Sequence, residues 1–111
     1  MAIKTAILGY GRSGSTLHAD PIEKLPDFEL TAVCDIDDKA LQMATDRFSC
    51  KTYVDYQEML AKEDLDLVVV VTRNDQHCAM VCDCLAAGVN VLVTKPWAAD
   101  TEQADQMIAA A

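Results

Sequence analysis

Ile3-Lys4-Thr5-Ala6-Ile7-Leu8-Gly9-Tyr10-Gly11-Arg12-Ser13-Gly14 is an apolar, strand-like run that breaks into a glycine-rich turn, and its reading decides the fold. The last six residues fit G-x-G-x-x-G, and they stand where that pattern has a mechanism, after a predicted strand and ahead of a predicted helix. Each glycine has its own task. Gly9 permits the tight turn, Gly11 removes a side chain that would block a pyrophosphate, and Gly14 lets the helix pack close to the strand. The free N–H groups and dipole at the start of that helix offer partial positive charge to phosphates. A plain glycine-rich turn between strand and helix would carry the same six letters. What favours the nucleotide-type loop is Asp35, which ends the second predicted strand 21 residues after Gly14.

Outward from this stretch, short β-branched runs alternate with longer amphipathic ones, the signature of βαβ units and a parallel sheet. The predicted strands are Ile3 to Leu8, Glu29 to Cys34, a short Lys51 to Val54, Leu65 to Val71 and Val89 to Val93. The fourth is almost continuously aliphatic, as a strand covered on both faces should be. Between them, Leu41, Ala44 and Phe48 share a helical face behind Asp37 as N-cap, and Asp55 with Glu58 reads as a capping box for a helix through Leu60. Cys78, Val81, Cys82 and Leu85 form the expected buried stripe of a further helix that Gly88 closes in the left-handed conformation. Ala104, Met107, Ile108 and Ala111 repeat that spacing. The fold expected is Rossmann-type: three α/β/α layers around a mostly parallel sheet in the order 3-2-1-4-5.

The chain has 111 residues, enough for one core but not for two domains, with roughly 60–70% of unfolded-chain surface buried at this size. Nine basic against 18 acidic residues give a formal charge of 9 − 18 = −9, which argues against nucleic acid as a partner. Apolar residues make up 51% but aromatic ones only 5%, so aliphatic side chains must fill the core. No stretch approaches the roughly 20 apolar residues of a membrane helix, and the N-terminus lacks a secretory pattern. A cytoplasmic protein with five reduced cysteines is expected. The last predicted helix runs into Ala109-Ala110-Ala111 without a stop signal, and so reads as cut rather than finished.

Asp35 is the decisive candidate for ligand choice, since a carboxylate there accepts ribose hydroxyls and repels a 2′-phosphate. NAD is therefore expected ahead of NADP. Arg12 is the nearby cation that would favour the phosphate, and a solvated loop carboxylate or helix cap is the bland account of Asp35. Thr72-Arg73-Asn74-Asp75-Gln76-His77 follows the fourth strand at the edge where open α/β sheets bind ligands. Asn74 suits a ribose or nicotinamide amide, and equally a turn or N-cap; His77 is read as structural. Cys82 and Cys84 point about 200° apart on a helix, so a zinc site is not expected. Lys95, after the fifth strand, could stabilise a developing alkoxide or relay its proton, or could be an exposed lysine before Pro96.

Taken together, these residues resemble the glucose/fructose oxidoreductase, inositol dehydrogenase and rhizopine catabolism (Gfo/Idh/MocA) family over essentially the whole chain. The resemblance is carried by Gly9 to Gly14, Cys34-Asp35-Ile36-Asp37, Thr72 to His77, and Ala87-Gly88-Val89-Asn90-Val91-Leu92-Val93-Thr94-Lys95-Pro96 in order and spacing. Gly9-Tyr10-Gly11 followed by His18-Ala19 also resembles a branch with NADP-linked inositol dehydrogenases, against which Asp35 stands. The resemblance implies that Gly9, Gly11 and Gly14 carry the pyrophosphate, Asp35 the adenosine ribose and Asn74 the nicotinamide side, with Lys95 as the catalytic lysine. Arg12, Ser13 and Thr72 complete the cofactor-binding candidates, and Lys95 belongs to both sets. Two positions depart from the family pattern: Arg73 stands where Pro is usual, and Thr94 where a Glu that could orient Lys95 is usual.

Family members are about three times longer and carry a second domain with the substrate contacts. The expectation is thus the cofactor half of an NAD-dependent dehydrogenase of a sugar, polyol or inositol, inactive by itself. A non-catalytic module that senses NAD or NADH is the alternative, and a methyltransferase using S-adenosylmethionine is a third reading that Lys95-Pro96 disfavours.

Overall fold

The computed structural model describes residues 2–11, 18–73, 76–94 and 98–111. In chain order the elements are β1 (Ile3–Leu8), α1 (Asp20–Lys24), β2 (Phe28–Cys34), α2 (Asp38–Phe48), β3 (Lys51–Tyr53), α3 (Tyr56–Lys62), β4 (Leu67–Val70), α4 (His77–Ala86), β5 (Asn90–Val93) and α5 (Thr101–Ala110). Among the described residues the strands form one parallel sheet in the order β3-β2-β1-β4-β5, as the alternating sequence predicts.

Strand alternation sorts the core into two layers. Ala6, Leu8, Ala32, Cys34, Val68 and Val70 face Met59 of α3, Cys78, Val81 and Cys84 of α4, and Met107 of α5. Ile7, Val33 and Val69 face the opposite side, against Ile22 of α1 and Leu41 and Ala44 of α2. A period of two along each strand, with helices on both faces, makes the three layers.

The ends of the elements differ from the sequence reading in instructive ways. β4 is shorter than the predicted Leu65 to Val71, and Asp66, just ahead of it, is linked to both neighbouring strands. Its N–H donates to the Lys4 carbonyl (2.8 Å), its carboxylate accepts the Lys4 N–H (2.9 Å), and its carbonyl accepts from Asn90 Nδ2 (3.1 Å). Asp55 caps α3 as predicted, accepting the Gln57 N–H at 2.9 Å, but Glu58 does not close the box. Its carboxylate pairs with Lys62 one turn on, at 2.7 Å. On α4 the buried face is His77, Cys78, Val81 and Cys84, with Cys82 and Leu85 only half-buried. Gly88 ends α4 at φ +82°, the left-handed stop expected there. On α5 Met107 is buried, whereas Ile108 is 65% exposed.

Candidate functional site

The carboxyl ends of β1, β2 and β4 meet at Gly9. Its N–H donates to the Cys34 carbonyl (2.8 Å), while the Val71 N–H donates to the Leu8 carbonyl (2.9 Å), so the chain leaves β1 wedged between its neighbours. Gly9 has φ +96°, and a Cβ there would lie 2.9 Å from the Val71 carbonyl oxygen and 3.2 Å from Thr72 Cγ2. Backbone conformation and close approach both demand glycine. Gly11 is the opposite case, since a Cβ built there meets no atom of the described residues within 4 Å. The described residues leave that space open, as a loop shaped to receive phosphates requires.

Asp35, one residue beyond β2, is pinned from two sides. Its Oδ2 accepts the Tyr10 N–H (2.8 Å) and its Oδ1 accepts the Asp37 N–H (2.9 Å). The charge is therefore held beside the glycine turn. Tyr10 is anchored in turn: its ring is 5% exposed and meets Phe48 edge-on, centroids 6.3 Å apart. Arg47 lies over the Phe48 ring at 5.0 Å and reaches Asp20 of α1 at 2.5 Å. That second contact is an ion pair rather than an aligned hydrogen bond. It ties the end of α2 to the helix that follows the glycine turn.

A cavity of about 680 Å³ opens at this edge, lined by Gly9, Asp35 and Thr72 among the predicted residues. Its size suits a small-molecule or cofactor site. Ile36, Val54, Tyr56, Arg73 and Met80 also line it, and none of these was picked out as a site residue by sequence reasoning. Ile36 and Val54 are 84% and 57% exposed, an unusual state for β-branched aliphatic side chains. The signal available in the sequence was an apolar residue directly after each of Asp35 and Tyr53. Arg73 makes Arg12 no longer the sole cation to weigh against a 2′-phosphate.

Two further groups at the edge have settled roles. His77 is 1% exposed, and its Nε2 lies 2.9 Å from the Thr72 carbonyl; because a carbonyl only accepts, the proton is on Nε2. The imidazole thus holds the loop after β4 in place, in keeping with its structural reading. Cys34 also lines the cavity, but burial, with Asp35 and Asp55 adding, pushes its thiol up to about 12. It is no nucleophile at neutral pH. Arg12, Ser13, Gly14, Asn74 and Lys95 lie outside the described residues.

Residues 3–111 match the profile of the GFO_IDH_MocA family, described as oxidoreductase family, NAD-binding Rossmann fold. An inositol 2-dehydrogenase/D-chiro-inositol 3-dehydrogenase from Lactiplantibacillus plantarum is 32% identical over 108 residues, covering 95% of this chain and 31% of that protein. The structure of the WlbA dehydrogenase from Chromobacterium violaceum, in complex with NADH and UDP-GlcNAcA, superposes with a TM-score of 0.92 at 31% identity, covering 98% of this chain and 32% of that one. KijD10, a 3-ketoreductase from Actinomadura kijaniata in complex with NADP and TDP-benzene, gives 0.91 at 25% identity, covering 99% and 34%. The chain spans about a third of the length of the curated relatives it matches. Among the described residues no helix is long and apolar enough to cross a membrane.

Proposed function

From the premise that the chain belongs to the Gfo/Idh/MocA oxidoreductase family and has its NAD(P)-binding Rossmann fold, we propose that residues 1–111 are the cofactor half of a dehydrogenase of a sugar, polyol or inositol. The observation that carries this is a pinned Asp35 carboxylate in the cavity, tied through the Tyr10 N–H to a glycine turn whose Gly11 the described residues leave uncrowded. These features fit a dinucleotide. Gly9, Gly11 and Gly14, with Arg12 and Ser13, receive the pyrophosphate, and Asp35 accepts the adenosine ribose hydroxyls through its remaining lone pairs. Asn74 is assigned the nicotinamide side on the family resemblance, and Thr72 is a further cofactor contact.

NAD is favoured over NADP on electrostatic grounds. Asp35 is fixed by two N–H donors, so it cannot swing away from a 2′-phosphate, and Asp55 adds a second carboxylate to the same cavity. When bound, the dinucleotide supplies the acceptor for hydride. Lys95, the second residue after β5, is assigned the substrate hydroxyl, whose proton it takes or whose developing charge it stabilises. The relatives carry about two thirds of their length outside the matched stretch, and we assign the substrate contacts to that remainder. Titration with NAD, NADP and S-adenosylmethionine tests the reading: NAD should bind most tightly, and binding of S-adenosylmethionine alone would overturn it.

A further inference from the structure

The cavity beside Asp35 has one wall that a dinucleotide phosphate or ribose does not explain. Ile36 follows β2 and Val54 follows β3, and both turn aliphatic surface toward solvent at the cavity, 84% and 57% exposed. Apolar side chains at the rim of a cavity fit a flat, weakly polar group. Arg73, exposed on the loop after β4, lines the same cavity from a different segment. A guanidinium is planar and weakly hydrated and can lie flat on an aromatic face, whereas an ammonium meets one only as a hydrated point charge.

Two uses of this cation compete, pairing with a 2′-phosphate or lying against a ring. The described cavity lining holds two carboxylates, Asp35 and Asp55, against the one Arg73, and Asp35 is immobilised by the Tyr10 and Asp37 N–H groups. A doubly charged phosphate entering there meets fixed like charge, whereas a neutral ring does not.

We infer that Arg73 is a specificity-determining residue of this site, its guanidinium forming one face of a slot for the adenine ring whose other face is Ile36 and Val54. The inference rests on the dinucleotide reading above and adds to it which end of the ligand Arg73 governs and by what contact.

Calorimetric titration with ADP-ribose and with nicotinamide mononucleotide tests it, using the 111-residue chain and its Arg73→Ala, Arg73→Lys and Ile36→Ser variants at low and raised salt. Arg73→Ala should weaken ADP-ribose by roughly two- to fivefold, as a stacked guanidinium at an exposed site predicts. Arg73→Lys should recover little of this, the loss should persist at raised salt, and nicotinamide mononucleotide should be unaffected. Ile36→Ser, on the opposite face, should weaken ADP-ribose in the same direction, so the slot is probed even if one variant folds poorly. Full recovery by Arg73→Lys with a salt-erased difference would show a charge effect and overturn the inference. So would unchanged ADP-ribose affinity in Arg73→Ala, or a loss confined to NADP in a parallel titration. Failure of the unmodified chain to bind ADP-ribose would instead bring down the dinucleotide reading itself, and this inference with it.

Discussion

The Tyr10 N–H donates to Asp35 Oδ2 at 2.8 Å, joining the middle of the glycine turn to the end of β2 across 25 residues of sequence. The carboxylate that is to read the ribose therefore also fixes the loop that is to hold the pyrophosphate. Asp37 N–H on the other oxygen completes the clamp. On the proposed function Asp35 is a ligand-reading and a positioning residue together.

Replacing Asp35 with Ala should accordingly do two things. The NAD to NADP affinity ratio should narrow or reverse, and both affinities should fall because the turn loses its clamp. Loss of two hydrogen bonds to a charged group should also cost about 1.5–3 kcal/mol of stability or more. Paired titrations and a urea unfolding curve measure these. An unchanged affinity ratio would show that Asp35 does not read the ribose.

Gly9→Ala should destabilise the domain by at least about 2 kcal/mol, combining a left-handed conformation with a Cβ 2.9 Å from the Val71 carbonyl oxygen. Backbone cannot yield as a flexible side chain would. A lowered urea midpoint with an unchanged slope is the expected result, and wild-type stability would mean that the turn relaxes freely.

His77→Phe keeps the buried ring but removes the donor to the Thr72 carbonyl. A cost of about 1–3 kcal/mol is expected from the unpaired carbonyl. Dinucleotide affinity should fall as well, because the loop after β4 loses its brace. If affinity is retained while stability drops, His77 matters to the fold alone.

These residues show what a sequence reveals about such a site. Gly9 with its turn, Asp37 and Asp55 as caps, and Gly88 as the helix stop were legible because each depends on its own backbone conformation or on neighbours two residues away. The strand order followed from alternation together with the right-handed crossover rule and the position of the glycine loop. Arg73, Val54 and Met80 were not legible as site residues, because two loops after different strands and helix α4 bring them to one cavity and no local pattern records that. Helix stripes were partly legible where two surfaces compete: on α4, which packs against both the sheet and α5, Cys78 and Val81 are buried as read and Cys82 and Leu85 pack half-buried on the same core, while His77 and Cys84 are also fully buried. Glu58 illustrates a third limit, since the reciprocal cap and the i,i+4 pair with Lys62 were both open to it.

Alkaline pH should unfold the domain progressively. The hydrogen bond to Glu63 and burial push the Tyr53 phenol up from 10.0 to about 12, and burial pushes Cys84 from 9.0 to about 11 and Cys34 from 9.0 to about 12. Each group keeps its proton in the fold at a pH where the unfolded chain has released it. Their contribution is thus whole below pH 9 and is lost as pH rises from about 9 to 12. Thermal unfolding across this range should show the decline, and Tyr53→Phe should flatten its upper part. A midpoint constant to pH 12 would contradict the assignment.

A protein of residues 1–111 should turn over no polyol or inositol, since orientation of the substrate carbon can be worth about 7–11 kcal/mol of the barrier and is assigned to the remainder of the longer relatives. Turnover abolished by Lys95→Ala would make this domain a complete enzyme.

The most direct test of the central claim, that this edge receives a dinucleotide phosphate, is the NAD affinity of Gly11→Ala measured beside its unfolding free energy. A Cβ at Gly11 meets no atom of the described residues within 4 Å, so the fold should lose no more than roughly 0.5 kcal/mol. The same methyl would stand where the pyrophosphate lies, and NAD affinity should drop about tenfold or more, equivalent to about 1.4 kcal/mol. Unchanged stability with lost binding is the result predicted here. Unchanged NAD affinity in a folded Gly11→Ala variant would contradict it and leave the turn a structural feature only.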